Sequence, residues 1–371
     1  VAISEIYVDP AIAGDSGAGT IGDPYGDLEF AIEQETFDLT NGTRVNIKAG
    51  TDEVLVAKID TAMADTSVSI AWAPIEAAPL IIQGYTSAAG DLGIGGISGG
   101  GSVPIFDSST LDHINLIDLH LHNTGVTDIV QLDDNCSAIR CEFDNTTQYG
   151  IQFDDSCLIA DCYFHNLASV TGRYGCRGDN LSIIRNNYIE ISGEGEGIFL
   201  VGGHAFRNIV KFTGTNTNTG ISIITGSATH NSIYSAGGDG IGIDILANSA
   251  VIAVENNLIE GFSASGGQAI DTNTGASTKS YGGNSEFNCD AGFGTPLHDY
   301  AQLGDNETLS ASPFRDATND DFTPLNVGNV LYGALPQGFH ANAPANIIRL
   351  NKGAIQLLPN RQSPREWRHN V

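Results

Sequence analysis

No proline occurs across residues 105–295, although five lie between Pro10 and Pro104 and seven between Pro296 and Pro364. Proline cannot donate to a strand ladder, so its absence points to strands bonded on both sides throughout that stretch. Cations are scarce too: 16 Lys and Arg face 44 Asp and Glu, a formal net charge of −28. That field repels DNA, anionic membranes and polyanionic polysaccharides, so no nucleic acid is expected as a partner. It also keeps a repetitive surface soluble and discourages edge-to-edge pairing. No apolar run approaches the ~18 residues of a membrane span, so no membrane insertion is expected. Neither a Cys-x-x-Cys spacing nor an Asp-rich Ca²⁺ loop is present, and no metal or cofactor is expected. Aromatics make up only 8%, and Trp72 and Trp367 both lie outside the proline-free stretch, which leans away from a sugar-stacking groove. Val1-Ala-Ile-Ser-Glu-Ile-Tyr7 has no basic stretch ahead of an apolar core; either a signal has been removed or the protein is made in the cytoplasm.

What is present is repetition. Glycine is abundant at 45 residues, and the apolar residues lean towards Ile and Val, which favours short strands joined by tight turns. Cys136-Ser-Ala-Ile-Arg-Cys141-Glu-Phe-Asp-Asn145 recurs 21 residues later as Cys157-Leu-Ile-Ala-Asp-Cys162-Tyr-Phe-His-Asn166, and weaker copies surround Asn187, Asn231 and Asn257. A second segment alternates with these at Gly150-Ile151, Gly197-Ile198, Gly220-Ile221 and Gly240-Ile241. Repeats of this length without a leucine-rich pattern fit coils of a solenoid whose strands stack about 4.8 Å apart. The fold class expected is all-β: a single-stranded right-handed parallel β-helix with an N-terminal cap helix and an irregular C-terminal tail. Residues 1–104 are expected to hold the cap and first coils, 105–295 the central repeats, and 296–371 a C-terminal cap and extended basic tail. Asp27–Gln34 carries Leu28, Ala31 and Ile32 at helical spacing, suited to closing the first coil. Asn123, Asn145, Asn166, Asn187, Asn231 and Asn257 are expected to form a turn ladder, because Asn tolerates the left-handed conformation and its amide can bond the next coil. Stacking also makes Cys136 a neighbour of Cys157, and Cys141 of Cys162, with side chains parallel; a buried thiol ladder is expected.

These stacked, Asn-containing coils resemble the parallel β-helix repeat proteins, the superfold that includes pectate lyases, mannuronan epimerases, polygalacturonases and phage tailspikes. Ile6-Tyr-Val-Asp-Pro10 with Pro24–Ile32 resembles the capping entry of surface and phage members, and Asn351-Lys-Gly-Ala-Ile-Gln356 resembles a Gly-Ala-x-Gln ending. The resemblance implies architecture; function must come from a site. The Asp-Pro-His element of epimerases is absent, and of the polygalacturonase motifs only Asp-Asp is matched. The expectation is therefore a non-enzymatic structural protein of a virion surface, a capsid decoration or tail appendage, with other virion or surface proteins and further copies of itself as partners. Alternatives are a cell-surface adhesin or a glycan-active hydrolase or lyase of tailspike type. Localisation is expected at the virion surface or outside the cell. No catalytic residue is assigned; for an enzyme, the candidates are Asp133, Asp134, Asp154 and Asp155, two stacked pairs near the spacing of a retaining glycosidase, though repetition of a turn capped by Asp is the better explanation of them. Glu190, Glu194 and Glu196 flank glycines, and His113, His120, His122, His165, His204 and His230 read as scattered surface positions. Arg361, Arg365, Trp367 and Arg368 form a tail that could dock on an acidic neighbour.

Overall fold

Alternating Ile, Val and Leu in short runs generate strands with one apolar edge, and a coil can bury that edge only against its neighbours. The computed structural model describes residues 3–325 and 327, apart from 15, 35–36, 39, 57, 61–67, 70–73, 100–103, 108–110, 124–128, 145–149, 168–172, 247–251, 273–278, 294–299 and 303–305. The architecture is an all-β parallel solenoid with little helix. Its contacts fall into two compact units, Val1–Ser169 with Tyr174–Ile183, and Val170–Arg173 with Ile184–Val371. Among the described residues no helix is long and apolar enough to cross a membrane.

In the first unit, the first sheet stacks Ser4–Val8, Thr43–Lys48, Leu80–Tyr85, Ile114–Ile117, Ser137–Ile139 and Leu158–Ala160. Its register runs Ile6, Val45, Ile82, Leu116, Ala138 and Ile159 down one buried column. The second sheet stacks Glu53–Leu55, Gly95–Gly99, Leu119–Asn123, Glu142–Asp144 and Tyr163–Leu167. There Leu121, Phe143 and Phe164 follow one another inward, the two rings stacked at 4.6 Å. The third sheet includes Phe106–Asp107, Val130–Leu132, Ile151–Phe153 and Tyr174–Gly178, and Cys176 continues its column of Phe106, Val130 and Ile151. Each such side chain contributes roughly 1.5–3 kcal/mol by leaving water. The helix Leu28–Gln34 forms where its periodicity predicts, with Leu28, Ala31 and Ile32 buried and Asp27 Oδ1 accepting from Phe30 N at 2.7 Å. The strand Leu80–Tyr85 pairs directly with Ile114–Ile117, so strand stacking continues across residue 104.

The second unit repeats the plan. In its third sheet Ile198, Ile221, Ile243 and Ile270 form one buried column. Gly197, Gly220 and Gly242 accompany it; a Cβ on any of them would come within 2.6 Å of a backbone oxygen on the following coil. The glycine–isoleucine segment expected at Gly240-Ile241 is thus Gly242-Ile243 in register. A short antiparallel pair, Phe314–Asp316 with Asp321–Pro324, lies over the outward side of the second sheet. Phe322 meets Tyr188 and Tyr234 edge-on, and Lys211, 5% exposed, pairs with Asp320 and Glu190 while donating to Thr318 O. The region expected to be an irregular tail therefore contains this hairpin, while Arg361, Arg365, Trp367 and Arg368 lie outside the described residues.

Corners between strands would strand backbone N–H groups, and side chains resolve this. In the second unit Asn187, Asn208, Asn231, Asn257, Asn284 and Asn306 form a column. Each of the first five gives its backbone N–H and its Nδ2 to the next Oδ1, at 2.9–3.1 Å. Asn208, Asn231, Asn257 and Asn284 also donate Nδ2 to a carbonyl of the preceding coil. Of the asparagines expected to stack, Asn187, Asn231 and Asn257 stand in this column. Asn166 is exposed and donates to Asp144 Oδ1, Asn123 ends a strand, and Asn145 lies outside the described residues. The left-handed conformation belongs to the residue before each column member: Asn186, Arg207, His230, Asn256 and Gly283 have φ of 56–68°. In the first unit cysteine holds the corresponding place, after left-handed Arg140 and Asp161, with Cys141 Sγ donating to Leu116 O and Cys162 Sγ to Ala138 O. Cys136, Cys157 and Ser182 turn another corner, where Cys136 N meets Cys157 Sγ and Cys157 N meets Ser182 Oγ. None of these four thiols is in a disulfide, and all are buried.

Replacing Asn231 by Ala leaves the backbone N–H of Asn208 and one of its two Nδ2 protons without their acceptor, the other Nδ2 proton staying on Ile184 O. A loss of about 2–4 kcal/mol is expected, read as a lower urea midpoint in chemical denaturation, whereas Asn166→Gly, at an exposed position with φ of 55°, should lower the midpoint by less.

Candidate functional site

Inward positions are spent on the core, so chemistry must come from the outward columns. In the second unit, the third sheet sets Phe199, Ser222, Asp244 and Asp271 in register on successive strands. A parallel column Glu196, Thr219, Ile241 and Gln268 lies beside it. Gly197 and Ile198 both turn inward, which brings Glu196 and Phe199 outward on either side of them. The Ser222 side chain bonds the Glu196 carboxyl, while Glu196 Oε2 is enclosed and makes no hydrogen bond. Burial, with the nearby Asp244 charge, holds Glu196 above the ordinary carboxylate range. Burial first, then the Asp271 charge, pushes Asp244 to about 6. Neighbouring strands stand about 4.8 Å apart, so Asp244 and Asp271 lie side by side on adjacent coils. Raised to about 6, Asp244 keeps its proton further towards neutral pH than an ordinary carboxyl does, as a proton donor requires. Neither column contains Lys or Arg, so nothing in them neutralises a substrate carboxylate.

The candidates expected from sequence lie elsewhere, in the first unit. Asp134 and Asp155 are turn groups: Asp134 Oδ1 accepts from Asp155 N at 2.9 Å, Asp155 Oδ1 accepts from Asn180 N at 2.9 Å, and Asp134 N itself donates to Asp112 Oδ1. Asp133 and Asp154 do meet, their side chains sharing a hydrogen bond. Burial, with the charges of Asp112, Asp134 and Asp154, raises Asp133 to about 6. Asp154 is also raised, by burial and by Asp179, against the pull of Arg177. Arg177 is engaged with Asp179 at 3.0 and 3.1 Å. These carboxyls hold one another and the coil backbone. Of the three glutamates flanking glycine, Glu190 pairs with Lys211, and Glu196 alone of them belongs to the outward columns of the third sheet. Sequence singled out Glu196 but missed Asp244 and Asp271, because only the register reveals that Asp271 falls directly beside Asp244.

No protein-family model matches the sequence, and no curated protein matches it. Among solved structures, the chain is similar to a GH136 lacto-N-biosidase from Eubacterium ramulus. The selenomethionine derivative aligns with TM-score 0.36 and 11% identity, and the native protein with 0.35 and 12%; each alignment covers 82% of this chain and 67% of that one. A likeness this distant says nothing of the chemistry of the chain.

The raised carboxyls set a pH dependence of stability. Asp133 and Asp244 titrate near 6 in the fold against an ordinary 3.8, so between these values the fold binds protons that the unfolded chain does not, and their contribution grows as pH falls from 8 towards 5. Asp144, lowered to about 2 by its histidine and Asn166 partners despite burial, contributes stability that is lost as pH falls from about 4 towards 2. The thermal midpoint followed by circular dichroism should therefore be higher at pH 5 than at pH 8, and Asp244→Asn should flatten that rise.

Proposed function

We propose that the outward face of the third sheet in the second unit binds a neutral glycan and hydrolyses it, with Asp244 as proton donor, Asp271 as nucleophile, and Glu196 with Ser222 orienting the sugar. The observation that carries the reading is the register that sets Asp244 beside Asp271, next to the enclosed and unpaired Oε2 of Glu196. Adjacent coils give two carboxyls about the 5 Å separation that a retaining glycosidase uses. Half-buried Phe199, at one end of the acidic column, offers a ring against which a sugar can stack. The absence of cations from both columns favours a neutral substrate over a polyuronate, since lyases neutralise the substrate carboxylate. Reducing-sugar release from a panel of neutral oligosaccharides tests the reading. Asp271→Asn and Glu196→Gln are each expected to lower the rate by roughly 100-fold or more, with Asp133→Asn unchanged. If the full-length protein cleaves none of the panel and binds none on a glycan array, the reading fails.

A second reading, a non-enzymatic structural protein of a virion surface or an adhesin, draws support from Asp134 and Asp155. These acids are consumed in coil turns, as expected of a scaffold. In this reading the solenoid is right-handed, as parallel crossovers nearly always are, the helix Leu28–Gln34 shields the first coil, and the basic residues Arg361, Arg365 and Arg368 with Trp367 dock on a neighbouring copy. Light scattering of the full-length chain beside one truncated after Pro359 tests the docking: assembly of the former with a monomeric latter is expected, and identical masses would overturn it.

A further inference from the structure

The three histidines of the first unit's second sheet were expected to be scattered, yet register gathers them on one outward face. His120 stands opposite Gly96 and Glu142, and His122 opposite Ser98 and Asp144, whose own neighbour is His165. His165 is already committed: Nε2 meets Glu142 Oε1 at 2.6 Å and Nδ1 meets Asn166 Nδ2 at 2.9 Å. His120 and His122 turn towards Asp52. Their rings lie nearly parallel, 5.0 Å apart and inclined by 16°. His120 Nε2 is enclosed and makes no hydrogen bond, its recorded anionic neighbour being Asp144 Oδ2 at 3.9 Å. His122 Nε2 points to Asp52 Oδ2 at 3.0 Å, from a residue 70 positions earlier in the chain. Donor atoms of Asp52, His120 and His122 all lie within 4.8 Å of one another.

Gly96 makes the grouping possible. A Cβ there would fall 1.7 Å from Asp52 Oδ1, so any other residue would push the Asp52 carboxylate away from the histidines. The missing side chain opens a notch in the outward column next to His120, and the carboxylate occupies it.

We propose that Asp52, His120 and His122 bind a divalent transition-metal ion, with Zn²⁺ as the cation best suited to the donors. Two imidazoles and one carboxylate form a nitrogen-rich set that favours such an ion over Ca²⁺ or Mg²⁺, which seek oxygen. Three protein donors leave the fourth tetrahedral position to water, and Asp52 is exposed, so the ion has an entry path. Asp144 stands behind His120 as an anchoring carboxylate, itself held by Asn166 Nδ2 at 2.7 Å. The ion ties the loop that carries Asp52 to the strand Leu119–Asn123, and so stabilises the fold as any ligand of the native state does.

Calorimetric titration of ZnCl₂ into chelator-stripped full-length protein tests this. One equivalent is expected to bind and to raise the thermal midpoint, with His122→Ala and Asp52→Asn each weakening affinity roughly tenfold or more. Asp52 is exposed and holds no core position, so its variant reports even where His122→Ala does not fold. Co²⁺ in place of zinc should give weak visible bands without intense thiolate charge transfer. Failure of the stripped protein to bind zinc, unchanged affinity in Asp52→Asn, or a thiolate spectrum placing the ion on the cysteine corners would each overturn the proposal.

Discussion

The structure depends on satisfying backbone N–H groups where one strand bends into the next. Strands of two to six residues leave a large share of each coil in corners, and a buried unpaired amide there costs about 1–3 kcal/mol. The column from Asn187 to Asn306 removes that cost in a single repeated arrangement, in which one carboxamide oxygen receives both the N–H and the Nδ2 of the asparagine one coil away. Such networks are worth having only when every member is satisfied, and here each interior member is both donor and acceptor. Cys141 and Cys162 stand at the corresponding corner in the first unit, where each thiol donates to a carbonyl of the preceding coil and its apolar bulk fills the corner.

With the corners and the core carrying the fold, the outward columns are free to vary, and the two units use them differently. In the first unit, outward acids are largely consumed: Asp134 and Asp155 bind turns, Asp118 holds Arg140 through two bonds of 2.6 and 2.8 Å, and Asp179 holds Arg177. In the second unit, the hairpin around Asp320 covers the second sheet, while the third sheet presents Glu196, Asp244 and Asp271 in outward columns whose described residues from Glu196 to Asp271 include no Lys or Arg. Parallel register is what concentrates these like charges. Acids that alternate harmlessly along the chain are brought about 4.8 Å apart across it, and burial then decides which of them keeps its proton.

The repeat near residue 140 was legible because 21-residue coils there keep Cys136 with Cys157 and Cys141 with Cys162. The same count carried further misleads. Asn145, Asn166 and Asn187 are evenly spaced in sequence, yet Asn187 turns the corner before its strand, where Cys162 rather than Asn166 stands before its own. Beyond Asn187 the spacing runs 21, 23, 26, 27 and 22 residues, so the column after Asn208 escapes any fixed period. Loops of variable length absorb the difference at the surface without disturbing strand pairing, which is why register survives while sequence period does not.

The sequence by itself determined the fold class, because missing proline, abundant Ile and Val, and recurrent corner residues are all short-range signals that permit little except stacked parallel coils. It also determined the helix at Leu28–Gln34, whose three buried residues repeat at helical spacing, and the acidic field of the whole chain. Only the tertiary structure decided which outward residues meet. Asp52 reaches His122 across 70 residues through a notch that Gly96 leaves open, and Asp244 meets Asp271 because the intervening coil happens to be 27 residues long. Contacts across coils depend on the length of every loop between them, and no local pattern of side chains records that sum.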